Sequence, residues 1–133
     1  MNSHLFVYGS LMTALAHPMG ARLRAEATLV GPATIAGRLY RVSWYPGLRP
    51  AVTPTDIVHG ELYRLSDPAM TLVWLDEYEG ITRGAISVTL PDEYQRAEAP
   101  ITCSDGTGLT AWVYVHQRPI DAAALIPDGR WRG

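Results

Sequence analysis

Leu5-Phe6-Val7-Tyr8-Gly9-Ser10-Leu11 decides how the chain is read. Four apolar or aromatic residues in succession suit a buried first strand, and Gly9 ends it by letting the backbone turn sharply. Such a turn can present N–H groups to an anion such as a carboxylate, although taken alone it also reads as an ordinary strand end. Ser10 does not read as a nucleophile, because the turn lacks the Gly-x-Ser-x-Gly elbow.

Outward from this strand, residues 27–43 hold Gly31, Pro32 and Gly37 among apolar and β-branched residues, as two short strands with a bend between them would. Ile57 to Leu65 is a further strand. The clearest helix runs from Asp67 to Glu79: Asp67 caps it, Pro68 suits its first turn and Gly80 stands just beyond its end. Ala85 to Leu90 alternates like a strand. Ile101–Cys103 and Thr110–His116 flank Ser104-Asp105-Gly106-Thr107-Gly108, whose Asp-Gly step signals a hairpin that closes the sheet. Ile120 to Leu125 is a brief helix before Pro127.

The 133 residues carry no internal repeat or linker and are expected to form a single domain, 1–133. Eleven cations, all arginine, against thirteen acids give a net charge of -2, which removes the electrostatic support for nucleic-acid binding. No apolar run spans a bilayer and Met1-Asn2-Ser3-His4 does not open a signal peptide, so no membrane role and a cytoplasmic location are expected. Cys103 is the lone cysteine, and His4, His17, His59 and His116 lack ligand spacing, so no metal is implied. The four tryptophans read as core, and Tyr45-Pro46-Gly47 taken alone reads as a turn.

One carboxylate stands out. Leu72, Leu75 and Glu79 are offset by three, four and seven residues and share a helical stripe, so Glu79 points toward the core while Glu77 projects elsewhere. Partial burial and the negative end of the helix dipole both disfavour its charge, which suits a proton carrier. Tyr114, inside the last long strand, either fills the core or turns its hydroxyl to a cavity.

In order along the chain, Leu5-Phe6-Val7-Tyr8-Gly9-Ser10-Leu11, Tyr45-Pro46-Gly47, His59-Gly60-Glu61-Leu62-Tyr63, Leu75-Asp76-Glu77-Tyr78-Glu79-Gly80 and Ala111-Trp112-Val113-Tyr114-Val115 resemble the γ-glutamylcyclotransferase-like family. Its small bacterial members and γ-glutamylamine cyclotransferases are the nearest in pattern. The resemblance covers nearly the whole chain. It implies an α+β fold, a small mixed β-barrel with flanking short helices and a cavity at one barrel mouth, with a glutamate at the position of Glu79. A Tyr-x-Arg step follows that glutamate in the family; here its nearest match, Tyr94-Gln95-Arg96, lies beyond a longer intervening segment.

The resemblance further implies cyclisation of a γ-glutamyl amine or γ-glutamyl amino acid to 5-oxoproline with release of the free amine. Glu79 would be general base and then general acid. Tyr8, Gly9, Ser10, Leu11, Tyr45 and Tyr114 would contact the zwitterionic or anionic substrate, and no cofactor is called for. The competing reading is a non-catalytic small-molecule binding module on the same fold.

Overall fold

The computed structural model describes residues 2–15, 17–81 and 92–133. Its elements are β1 (His4–Val7), α1 (Pro18–Glu26), β2 (Ala27–Ala36), β3 (Arg38–Arg41), β4 (Pro46–Arg49), β5 (Ile57–Leu65), α2 (Pro68–Tyr78), β6 (Tyr94–Cys103), β7 (Gly108–His116) and β8 (Leu125–Ile126). Short 3-10 turns cover Thr13–Leu15 and Ala122–Ala124. Five strands close a barrel in the order β1-β5-β2-β6-β7, and β4-β3-β8 form a small second sheet. The barrel is mixed: its neighbours pair antiparallel except β1 and β7, which run parallel with Leu5 opposite Trp112.

The unbroken apolar run of β1 follows from burial on both faces. Leu5 and Val7 pack with Leu23 of α1 and with Leu72 and Leu75 of α2, while Phe6 turns the other way onto Val58, Leu62 and Val113. One apolar cluster thus joins the helices to the barrel wall. A second lies on the opposite face of the same strands and includes Leu39 and Leu48 of the small sheet.

Residues 27–43 form two strands, β2 and β3, with the bend between them at Gly37. β2 continues through Gly31 for ten residues, with a register shift between Leu29 and Gly31 and φ of 145° at the glycine. A bulge absorbs the irregular backbone without ending the pairing, and the chain breaks only at Gly37. Pro46 and Gly47 lie in a strand, not a turn: proline is tolerated as the first residue of β4, which sits at the edge of its sheet. The brief helix expected over 120–125 is one 3-10 turn leading into β8. The strand expected at Ala85–Leu90 lies outside the described residues.

The hairpin forms as its sequence indicates. Gly106 takes φ of 88° and donates to Cys103 O at 2.9 Å, while Asp105 Oδ1 accepts the Thr107 N–H at 2.9 Å. α1 has no counterpart in the sequence reading. His17 caps it through Nδ1, which accepts the Met19 N–H at 3.1 Å, and Gly20 lets the helix approach the Leu11 carbonyl, which a Cβ there would meet at 3.1 Å. Among the described residues no helix is long and apolar enough to cross a membrane.

Candidate active site

The end of α2 sets the site. Asp67 starts the helix by accepting the Met70 N–H at 3.3 Å. At the other end Ile81 N–H donates to Asp76 O at 2.9 Å and Gly80 N–H to Glu77 O at 3.1 Å, with Gly80 at φ of 77°. This paired closure stops the helix at Tyr78 and leaves Glu79 as its C-cap, with its N–H bonded to Leu75 O. Leu72 and Leu75 are buried and Glu77 is exposed, while Glu79 lines a cavity of about 300 Å³.

The cavity brings Glu79 together with Tyr8, Gly9, Ser10, Leu11, Tyr45 and Tyr114. The turn after β1 is fixed from several sides. Ser10 Oγ and the Tyr78 hydroxyl hydrogen-bond at 2.7 Å, tying the turn to the helix end. Glu61 of β5 accepts both the N–H and the hydroxyl of Thr13 at 2.7 Å, holding the chain just past the turn. Gly9 is required by contact: a Cβ there would stand 2.9 Å from the Pro46 ring. Among the described residues the N–H groups of Gly9, Ser10 and Leu11 donate to no protein acceptor, whereas the Met12 N–H bonds Gly9 O at 3.0 Å. Three backbone donors are thereby left at a cavity wall.

Tyrosines frame the rest. Tyr8 donates to Tyr114 O and accepts the Leu48 N–H, Tyr94 donates to Pro46 O, and Tyr114 donates to Asp76 Oδ1 at 2.6 Å. Arg96 Nε reaches the same Asp76 oxygen at 2.9 Å and stacks over Trp112. The Tyr-x-Arg step therefore sends its tyrosine to the cavity and its arginine behind it, to the carboxylate that holds Tyr114. Burial raises Tyr8, Tyr94 and Tyr114 above the usual tyrosine range, and the charge of Glu79 adds to the effect in each. They stay protonated hydroxyls at neutral pH.

Burial, then the charges of Glu93 and Asp76, push the Glu79 carboxyl up to about 8. No protein group hydrogen-bonds its carboxylate among the described residues, so only the cavity can satisfy it. A carboxyl poised this way exchanges a proton near neutral pH, close to where an α-amino group does, at about 8.

Glu93, Trp44, Tyr78 and Tyr94 also line the cavity. Tyr78 could have been found as the neighbour of Glu79, and Tyr94 from the Tyr-x-Arg step. Glu93 carries no local signal, because it reaches the cavity only through the pairing of β6 with β7.

The fold is shared with solved structures, among them an AIG2-like protein. YkqA from Bacillus subtilis superposes with a TM-score of 0.69 at 21% identity, over 98% of this chain and 40% of its own, so the chain spans about two-fifths of that protein. An AIG2-like protein from Mus musculus matches with a TM-score of 0.68 at 20% identity, over 92% of this chain and 81% of that one. The sequence model of the family "Gamma-glutamyl cyclotransferase, AIG2-like" matches residues 5–133, and the chain belongs to that family. The gamma-glutamylcyclotransferase family protein YtfP of Escherichia coli K12 is 36% identical over 129 residues, which is 96% of this chain and 94% of the relative.

Proposed function

We propose that the protein cyclises γ-glutamyl amines or γ-glutamyl amino acids to 5-oxoproline. The carrying observation is the Glu79 carboxylate, without a protein partner among the described residues, facing a cavity whose opposite turn offers the Gly9, Ser10 and Leu11 N–H groups. The substrate's α-carboxylate lies against those donors, with Tyr45 and Tyr114 as further polar walls. Its α-ammonium lies beside Glu79.

Glu79 as carboxylate takes a proton from the α-ammonium. The freed amine attacks the γ-carbonyl to form the ring C–N bond, and Glu79 gives its proton to the outer nitrogen as the bond to it breaks. The surplus proton of the ring nitrogen follows by the same route, so the products are 5-oxoproline and the amine as its ammonium. The nucleophile belongs to the substrate, so holding it over the carbonyl supplies much of the acceleration. The reaction exchanges one amide bond for another without redox change and calls for no cofactor. A single-domain cytoplasmic enzyme fits this chemistry and a lone unpaired Cys103.

The test is release of 5-oxoproline from a panel of γ-glutamyl amines and γ-glutamyl amino acids. Turnover of at least one supports the reading. Calorimetric binding of the conjugates without turnover of any would instead identify a binding module.

A further inference from the structure

The proposed reaction uses one carboxylate, yet the cavity is lined by two. Glu93 stands just before β6, and both of its side-chain contacts fall on one oxygen: Tyr45 donates to Oε2, and His116 Nε2 lies 3.3 Å from the same atom. His116 is buried and its Nδ1 lies 3.0 Å from Arg118 O, so this arm is anchored from behind. Glu93 Oε1 has no protein partner among the described residues. The side chain keeps 24% of its exposure. Among the described residues, the titratable groups around Glu93 are its chain neighbour Asp92, Glu79 across the cavity, His116 behind it, and Arg118, which acts on Tyr45 but does not line the cavity. No lysine or arginine lines it among the described residues.

The mouth on this side is aromatic. Trp44 is 63% exposed, meets Tyr45 edge-on at 5.1 Å and lies parallel to the His17 ring. The Arg–aromatic stacks among the described residues use Trp74, Trp131 and Trp112, so no guanidinium of those residues stacks on the Trp44 or Tyr45 ring. Aromatic faces beside a carboxylate with one open oxygen attract a cation and disfavour an anion.

We infer that Glu93, held by Tyr45 and His116, is a specificity-determining residue that receives a second, cationic nitrogen on the leaving amine. The preferred substrates are then γ-glutamyl conjugates of diamines or polyamines. This rests on the cyclotransferase reading above: with the α-carboxylate at the Gly9 turn and the scissile amide beside Glu79, the leaving portion extends toward Tyr45 and Trp44. A terminal ammonium there meets Glu93 Oε1 and the aromatic rim, whereas a terminal carboxylate meets like charge.

The experiment compares 5-oxoproline release from γ-glutamyl conjugates of a four-carbon diamine, of pentylamine as its neutral near-isostere, and of a four-carbon amino acid with an anionic end. Wild-type kcat/KM should favour the diamine over the pentylamine conjugate by about tenfold or more, the range of a charge-assisted hydrogen bond, with the anionic conjugate last. Glu93→Gln should bring the diamine-to-pentylamine ratio toward unity. A wild-type ratio near unity overturns the proposal, and so does a ratio unchanged in a folded Glu93→Gln. The wild-type comparison decides even if the variant does not fold. If no conjugate is turned over, the cyclotransferase reading fails, and calorimetric titration of the same conjugates decides separately: about tenfold tighter binding of the diamine conjugate upholds the role of Glu93, and equal affinities overturn it.

Discussion

The Tyr114 hydroxyl lies 2.6 Å from Asp76 Oδ1, joining a barrel strand to the helix that ends at Glu79. Asp76 is buried and takes Arg96 as well, so this carboxylate is satisfied by groups from two strands. Its neighbour three residues on, Glu79, has no such donors among the described residues. Two carboxylates on one helix end are thus given different tasks by their partners, one fixing the wall and the other facing the cavity.

Tyr114→Phe removes one of the donors to Asp76 while keeping the ring. A buried hydrogen bond to a charged group contributes about 1.5–3 kcal/mol, and a loss of that order is expected in urea unfolding. Unfolding free energy equal to wild type would show that the contact contributes nothing net.

Glu79→Gln keeps the shape of the side chain but cannot carry a proton between the two nitrogens. A fall of about 10²- to 10⁴-fold in 5-oxoproline release is expected, with conjugate binding retained by calorimetry. A folded variant matching the wild-type rate would exclude Glu79 as proton carrier.

The same variant has a signature in stability. A carboxyl raised from about 4.5 to about 8 on folding means that the folded state holds the proton more tightly, so stability is greatest below the unfolded value and falls as pH rises through 8. Glu79→Gln removes that penalty. Its melting temperature should exceed wild type at pH about 9, with the gap closing toward pH about 5; a gap that widens toward acid would reverse the assigned direction.

Gly60 packs against β1 without room for a side chain: a Cβ would fall 2.2 Å from Val7 O and 2.6 Å from the Phe6 ring. The first contact is with backbone, so it cannot be relieved by a rotamer change. Gly60→Ala should cost about 1–3 kcal/mol or more in denaturant unfolding, and because β1 feeds the Gly9 turn, conjugate binding should weaken too.

Cys103 ends β6, partly buried beside the apolar cluster and remote from the cavity lining. Cys103→Ala should keep its 5-oxoproline release rate, since the proposed chemistry has no use for a thiol. A folded variant without turnover would point to different chemistry.

The helix over 67–79 was legible because its signals are local: an acidic cap, a first-turn proline and a closing glycine. The register of Glu79 with Leu72 and Leu75 came from the same periodicity. α1 was not legible, since His17 is an unusual cap and Gly20 is there for contact with Leu11, which no pattern within the helix announces. The two strands over 27–43 were legible from their glycines, but only the pairing tells the bulge at Gly31 from the break at Gly37. Glu93 joins the site only when β6 lies beside β7, and Tyr45 is its partner from 48 residues away. Such neighbours are created by pairing between distant segments.

Closure through β1 and β7 ties a strand at residues 4–7 to one at 108–116. During synthesis on the ribosome, the early strand waits for the late one, and the tyrosine wall contributed by Tyr114 cannot be in place until then. Local helices can form in the meantime, but the cavity matures as one of the last events of folding. Pairing across so long a loop is entropically slow, so even after β5 has paired with β1 the nascent chain should keep the other edge of β1 open, and in need of protection from association, until β7 emerges.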